Sequence, residues 1–321
     1  MIYRTLGRTG LSVSILGFGA SPLGNEFDPV DPREASGAVH RAIERGINYF
    51  DVSPYYGRTL AETRLGEALV GHRQEVILAT KCGRYGKSLP DGFDFSAARI
   101  RRSLEESLQR LRTDYIDVFQ AHDIEYAHRD QILGETLPAM FELKRSGKVR
   151  FVGITGYPLH LLRDVASAAD VDTVLSYCHY DLLDTGLARV LAPLARERGT
   201  GLISASPLHM RLLTRNGPPA WHPAPRAVRQ VAQAAAAFCD ARGVDIASLA
   251  MQFALAYGGV ATTLVGMSKA EHVDANLQAL GVPPDPELLA QVRAIIAPAA
   301  DVSWKEGLPE NDDPGAVEKQ Q

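Results

Sequence analysis

Eight short apolar runs, each followed by a stretch of helical period, recur along this 321-residue chain and leave few folds open to it. The runs are Ser14–Gly19, Ile47–Val52, Val76–Thr80, Ile116–Ala121, Val149–Ile154, Asp172–Ser176, Thr200–Ser204 and Thr262–Val265. Amphipathic segments follow them, among them Pro32–Arg45, Leu60–Val70, Ser96–Leu111, Gln131–Ser146, Val228–Arg242 and Ala270–Leu280. The runs are nearly all apolar rather than alternating, as expected of parallel strands buried on both faces. Right-handed β-α units repeated eight times over about 270 residues close as a (β/α)8 TIM barrel. An open doubly wound sheet is the competing arrangement. Tyr3–Leu6 and Leu11–Ser14 flank a turn-rich break and predict a hairpin that caps the barrel's N-terminal end. The chain therefore reads as one domain, 1–321, with its core at about 14–280. The tail from Pro283 is expected to be peripheral, and Asn311–Gln321 loose.

Composition excludes several classes of function. Basic residues number 34 and acidic residues 38, mixed along the chain, for a net charge of −4. A nucleic-acid or anionic-membrane partner would need a cationic block, and there is none. The three cysteines, Cys82, Cys178 and Cys239, form no disulfide framework and no zinc spacing, and they fit a reducing cytoplasm. The first residues lack the apolar core of a signal peptide, and no run of about 18 apolar residues would span a membrane. A monomer or small homo-oligomer acting on a small molecule is expected.

In a barrel, chemistry gathers at the C-terminal ends of the strands. Those ends carry Asp51 after INYF, Lys81 after VILAT and His122 after IDVFQA, with Tyr56 five residues past Asp51. One titratable residue at a strand end is unremarkable, but three on consecutive strands are not explained by solvation. An ammonium beside a phenol stabilises phenolate and is expected to pull the tyrosine below its ordinary pKa of about 10. The carboxylate would orient the lysine, and the histidine would bond the reacting oxygen. The set suits a carbonyl–alcohol couple and provides neither a nucleophile nor a metal site. Two long loops follow strand ends. Cys82–Phe95 is glycine-rich, and Pro207–Pro225 carries five prolines with Trp221 and His222. Gly17-Phe18-Gly19 alone is a weak dinucleotide signal, since Pro22 stands where the fingerprint needs glycine.

These residues, with the segments Asp51–Gly57 (DVSPYYG), Ser206–Leu208, Gly266 and Glu271–Asn276, make the chain resemble the aldo-keto reductases in order over about residues 2–280. Within that family, Ala121–Ile124 (AHDI), Gly153–Gly156 (GITG), Leu175–Tyr180 (LSYCHY), Ile203–Leu208 (ISASPL) and Gly217–Pro223 (GPPAWHP) are similar to L-galactose dehydrogenases and to bacterial L-fucose (D-threo-aldose) 1-dehydrogenases. The resemblance implies a nicotinamide-dependent oxidoreductase with a catalytic tetrad of Asp51, Tyr56, Lys81 and His122. It implies a cofactor cleft built from Gly19, Ala20, Asp51, Thr155, Tyr177, Ser206, Pro207, Leu208, Met210, Leu212, Gly266, Ser268, His272 and Asn276. It also implies substrate contacts from Tyr56, His122, Asp123 and Trp221. The chain departs from the broad pattern at Thr155-Gly156, where Ser-Asn is usual, at Tyr177 for Gln, and at Ala205 for the aromatic that stacks on nicotinamide. These departures also occur in the L-galactose subgroup.

NAD is the expected cofactor. The segment Gly266–His272 contains no arginine for a 2′-phosphate, and His272 occupies the place where NADP-specific members carry one. Ser268 and Lys269 leave NADP possible. The expected reaction is oxidation of an aldopyranose at C1 to the lactone. Two alternatives stand beside it: an NADPH-dependent aldehyde or ketone reductase, and a nucleotide-binding auxiliary protein of the kind that serves ion channels, with little turnover.

Overall fold

A computed structural model describes residues 1–320. Strands β1 (Tyr3–Thr5) and β2 (Ser12–Ser14) pair antiparallel as the predicted hairpin. Strands β3 (Leu16–Gly19), β4 (Tyr49–Asp51), β5 (Ile77–Cys82), β6 (Ile116–Ala121), β7 (Val149–Gly156), β8 (Thr173–Tyr177), β9 (Gly201–Ala205) and β10 (Thr262–Gly266) are all parallel. They close in chain order, β10 pairing with β3 through Val265 opposite Phe18, so the barrel forms and the open sheet does not.

The apolar runs are buried on both sides because two cores meet at each strand. Inside the barrel, Tyr49, Ala79, Val118, Leu175, Ile203 and Leu264 pack together with Leu6, Leu11 and Val13 from the hairpin. Outside, the helices lay one face each on the strands. Ala97–Leu111 buries Ile100, Leu104, Leu108 and Leu111 at helical spacing, and its first turn is capped by the Ser96 side chain. The helix expected over Gln131–Ser146 is interrupted by a π turn at Ile132–Thr136 before Leu137–Arg145. Pro138 has no N–H to give to the preceding turn, and a wider turn relieves that conflict. The hairpin can press against β9 only because Gly7 is glycine. Its φ is +50°, and a Cβ there would lie 2.3 Å from the Gly201 nitrogen.

The tail corrects the expectation of a loose end. After the helix Pro286–Ile296, residues 300–320 run across the C-terminal mouth of the barrel. Trp304 is only 1% exposed. Asn311 Nδ2 donates to the carbonyls of Glu125 (2.8 Å) and Ala127 (2.9 Å). The Asp313 carboxylate accepts from the Leu159 and His160 amides at 2.7 and 2.8 Å, capping the helix Leu159–Ala168. Asn311 and Asp313 bond the barrel, while Asp312, Glu318 and Lys319 pair with residues of the tail itself; Gln321 lies outside the described residues. The turn that seats the tail needs Gly307, with φ +83° and room for no Cβ, since one would stand 2.3 Å from the Glu125 oxygen. Gly307→Ala is expected to cost about 1–3 kcal/mol and to hasten tryptic cleavage at Lys305 and Lys319. Unchanged protection would show that the turn does not govern docking.

Candidate active site

The parallel register sets Asp51, Lys81 and His122 at one level of the mouth. Asp51 ends β4 beside Gly19, Lys81 lies next to the end of β5 opposite Gln120, and His122 follows β6. Lys81 is buried, with its side chain 2% exposed, and all three ammonium hydrogens are used. One goes to Asp51 Oδ1, one to the Val52 carbonyl at 2.9 Å and one to the Tyr56 hydroxyl oxygen at 3.3 Å. Gln120 Nε2 holds the other Asp51 oxygen at 2.8 Å. An ammonium can only donate, so Tyr56 accepts from Lys81 and its own hydrogen is left for another acceptor. Burial is the largest single influence on Lys81 and works to lower its pKa, but the charge and hydrogen bonds of Asp51 together with those of Tyr56 outweigh it, and the pKa is raised.

Tyr56 departs from expectation. Burial pushes its phenol up to about 12, and the nearby Lys81 ammonium offsets only part of that rise. Desolvation by the surrounding wall is the largest cause, and the Asp51 charge beside Lys81 adds to it by opposing phenolate. His122 is held well below its ordinary pKa, chiefly by burial and then by Lys81 and Arg84, and is neutral. Its Nδ1 lies 3.0 Å from Ser53 Oγ, which already accepts from the Tyr55 amide. Ser53 is thus free to donate to Nδ1, and in that tautomer Nε2 carries a hydrogen for an oxygen in the cavity.

These groups open onto a cavity of about 500 Å³. Of the residues predicted for the site, Gly19, Ala20, Asp51, Tyr56, Lys81, His122, Asp123, Thr155, Tyr177, Ser206, Met210, Trp221 and Gly266 line it together. Pro207, Leu208, Leu212, Ser268, His272 and Asn276 are not among its lining residues. Leu212, 3% exposed, packs into the core beneath the loop that follows β9. His222, beside Trp221, is likewise buried, donating from Nε2 to the His209 carbonyl at 2.9 Å and accepting the Ala224 amide at Nδ1. Sequence reasoning missed Tyr55, Arg84, Tyr126, Trp304 and Glu306, which also line the cavity. Arg84 stacks over Tyr55 and pairs with Asp123. Glu306 accepts from Tyr126, from Lys319 at 2.7 Å and from Trp304 Nε1 at 3.2 Å.

A nucleotide fits the adjoining loop. Ser206, His209, Met210 and Arg211 all have positive φ, and the amides of Leu208, Met210 and Arg211 reach no backbone acceptor among the described residues. Unpaired amides in such a turn form a cradle for phosphate oxygens. Thr155 Oγ accepts from the Asp123 amide and keeps its hydrogen for a carboxamide. The loop is tied across the cleft by Arg211 to Asp28 at 3.0 Å and by Trp221 to Phe27. No helix among the described residues is long and apolar enough to cross a membrane.

Comparison with known proteins places this geometry. L-galactose dehydrogenase of Arabidopsis thaliana is 47% identical over 320 residues, covering 96% of this chain and 98% of the relative. D-threo-aldose 1-dehydrogenase of a Pseudomonas species is 30% identical, covering 85% of this chain and 92% of that one. The solved structure of an aldo-keto reductase from Bacillus halodurans, in its holo form, superposes with a TM-score of 0.77 at 30% identity, covering 99% of this chain and 98% of that one. Residues 15–297 match the aldo/keto reductase family throughout. With the barrel, the buried Lys81–Asp51 pair donating to Tyr56 and these likenesses in hand, the chain belongs to the aldo/keto reductase family, whose oxidoreductases work with a nicotinamide cofactor.

Proposed function

We propose that this chain is an aldose 1-dehydrogenase that oxidises C1 of an L-galactose-type pyranose to the lactone, with NAD as the preferred acceptor. The observation that carries the reading is the charge arrangement of the cavity. Arg84 is paired with Asp123, Lys319 with Glu306 and Lys81 with Asp51. Such walls offer donors and acceptors without a net field for an anion, which suits a neutral polyol better than a sugar phosphate or a greasy aldehyde. The likeness to L-galactose dehydrogenase over nearly the whole chain supports the same reading.

The nicotinamide, when bound, accepts the hydride from C1. Tyr56, as phenolate, takes the proton of the C1 hydroxyl. Lys81 holds the phenolate by a charge-assisted bond. Neutral His122 donates from Nε2 to the same oxygen and fixes its direction. Thr155, Ser206 and the open amides of the 206–211 loop serve the nucleotide. Ser268, His272 and Asn276 serve its adenosine end. There Lys269, the one cation of the segment, is paired with Glu34 at 3.1 Å. Burial and Lys269 hold His272 below its ordinary pKa, so it is neutral at pH 7. Neither group is a ready partner for a 2′-phosphate, which favours NAD.

Trp221, 55% exposed at the rim and packed near Phe27, makes an apolar wall for the C6 end of the sugar. A site that leaves C6 against an apolar wall takes L-galactose and its 6-deoxy counterpart L-fucose alike. Initial rates with L-galactose, L-fucose, D-arabinose and L-glucose under NAD and NADP test this. Both L-galactose and L-fucose are expected to be oxidised, with NAD ahead. A tenfold preference for NADP, equivalent to about 1.4 kcal/mol of extra transition-state binding, would overturn the cofactor assignment. Rapid reduction of aromatic aldehydes without sugar oxidation would overturn the function.

A further inference from the structure

The segment Cys82–Phe95 does more than wall the cavity. Arg84 is held against Phe93 by an antiparallel bridge, and its guanidinium lies 4.0 Å over the Tyr55 ring, with Phe93 and Tyr126 at 5.4 and 5.5 Å. Its side chain is 16% exposed and lines the cavity. Of its five N–H bonds, those accepted by described residues go to Asp123 Oδ2 and, at 3.4 Å, to the Gly86 carbonyl. Asp123 is fixed in turn. It adopts a left-handed backbone, φ 53°, and its amide donates to Thr155 Oγ at 3.1 Å. Its Oδ2 lies 3.6 Å from His122 Nε2, while its Oδ1 accepts from no described residue.

We infer that Arg84 and Asp123 together read the C2 hydroxyl of the sugar, making Arg84 a specificity-determining residue. The inference rests on the aldose dehydrogenase reading. His122 Nε2 marks where the reacting C1 oxygen sits. Vicinal oxygens on a sugar ring lie about one hydrogen-bond length apart, and Asp123 Oδ2, at 3.6 Å from His122 Nε2 and too far to bond it, sets the Arg84–Asp123 pair beside the C1 oxygen position, where the neighbouring oxygen falls. A hydroxyl is both donor and acceptor, and the pair offers the complement of each: a carboxylate oxygen to receive its hydrogen and a guanidinium N–H for its lone pair. Stacking on Tyr55 and the bridge to Phe93 hold the fork in place before substrate arrives, so its orientation discriminates between C2 epimers. A single cation with no compensating carboxylate would instead favour an anionic substituent.

The experiment compares L-galactose with 2-deoxy-L-galactose in the wild-type protein, Arg84→Met and Arg84→Lys. A site built around a hydroxyl rejects the analogue lacking it, and the wild-type kcat/KM is expected to fall by about 10²-fold or more for the deoxy sugar. In Arg84→Met the loss for L-galactose itself should appear mainly in KM, and the deoxy penalty should shrink to less than about 5-fold, as for a lost charge-assisted hydrogen bond. Arg84→Lys keeps the charge that balances Asp123 and removes the fork, so it is the variant to read if the methionine protein does not fold. It is expected to lose most of the same penalty. Binding of NADH alone, followed by protein fluorescence, verifies that the cleft is intact in each variant. A full deoxy penalty in a variant that still binds NADH would overturn the role of Arg84 and leave the dehydrogenase reading standing. A wild-type protein that oxidises no aldose would overturn both.

Discussion

Replacing Tyr56 with phenylalanine is expected to lower kcat for sugar oxidation by about 10²-fold or more, the usual size of general acid–base help, with little change in KM. The ring stays and still fills its place beside His122, 5.6 Å between centroids, so ground-state contacts survive and the proton acceptor is lost. The pH dependence tests the same residue. In the proposed oxidation the working form is the phenolate, and burial sets the phenol up to about 12 before ligands enter. The wild-type rate should therefore climb with pH through the neutral and alkaline range as the phenolate fraction grows. The rise ends only where Lys81 begins to lose its proton, and its raised pKa delays that point. In the phenylalanine variant the climb should vanish along with the rate. Turnover within a few-fold of wild type, or an unchanged pH profile, would remove Tyr56 from the role of base.

How far the sequence foretold this site can be judged from individual residues. Asp51, Lys81 and His122 were legible because parallel strands turn a position in the chain into a position in space. Residues at or just past the end of each apolar run come to lie at the mouth. Tyr56 was legible because it lies only a short loop away from Asp51. The pKa of Tyr56 was not legible, because the balance of burial against Lys81 depends on depth, which no spacing encodes. Arg84 was hidden inside a glycine-rich loop, where only the bridge to Phe93 and the left-handed turn at Asp123 bring it to its partner. Glu306 and Trp304 were hidden for a different reason. Glu306 meets Tyr126 180 residues away and Trp304 meets Tyr157 147 residues away, and a short polar segment without periodicity gives no sign of what it will cover. A cue existed in Gly307, followed closely by Asn311 and the Asp312-Asp313-Pro314 run, since caps and tight turns use those residues.

Asp51→Asn is expected to damage both stability and chemistry, and the reason is the burial of Lys81. In the native barrel the ammonium has a carboxylate on one hydrogen, a carbonyl on the second and Tyr56 on the third. Asparagine keeps the shape and removes the charge, leaving a buried ammonium with no counter-ion. Breaking such a pair on one side costs about 3–5 kcal/mol, and a drop of about 5–10 °C in Tm is expected for a domain of this size. Burial by itself lowers the Lys81 pKa, and Asp51 is the main group that raises it above its ordinary value. A folded pKa above the unfolded one contributes stability that is present below the unfolded pKa and is lost as pH rises through the folded one. Without Asp51 burial takes the folded pKa below the unfolded one and the sign reverses, so the stability deficit of the variant should shrink as pH rises and the buried lysine sheds its charge, while activity that needs charged Lys81 should be lost at lower pH than in wild type. Thermal melts and kcat profiles from pH 7 to about 11 would show it, because lysine ordinarily titrates near the top of that range. The double replacement Asp51→Leu with Lys81→Met separates the two effects. It removes both charges from the same buried site, so most of the stability should return, as it does when buried pairs are exchanged for apolar side chains. Activity should not return, because nothing is left to hold the Tyr56 phenolate. A double variant no more stable than Asp51→Asn would mean that the pair is needed for the packing of the mouth itself.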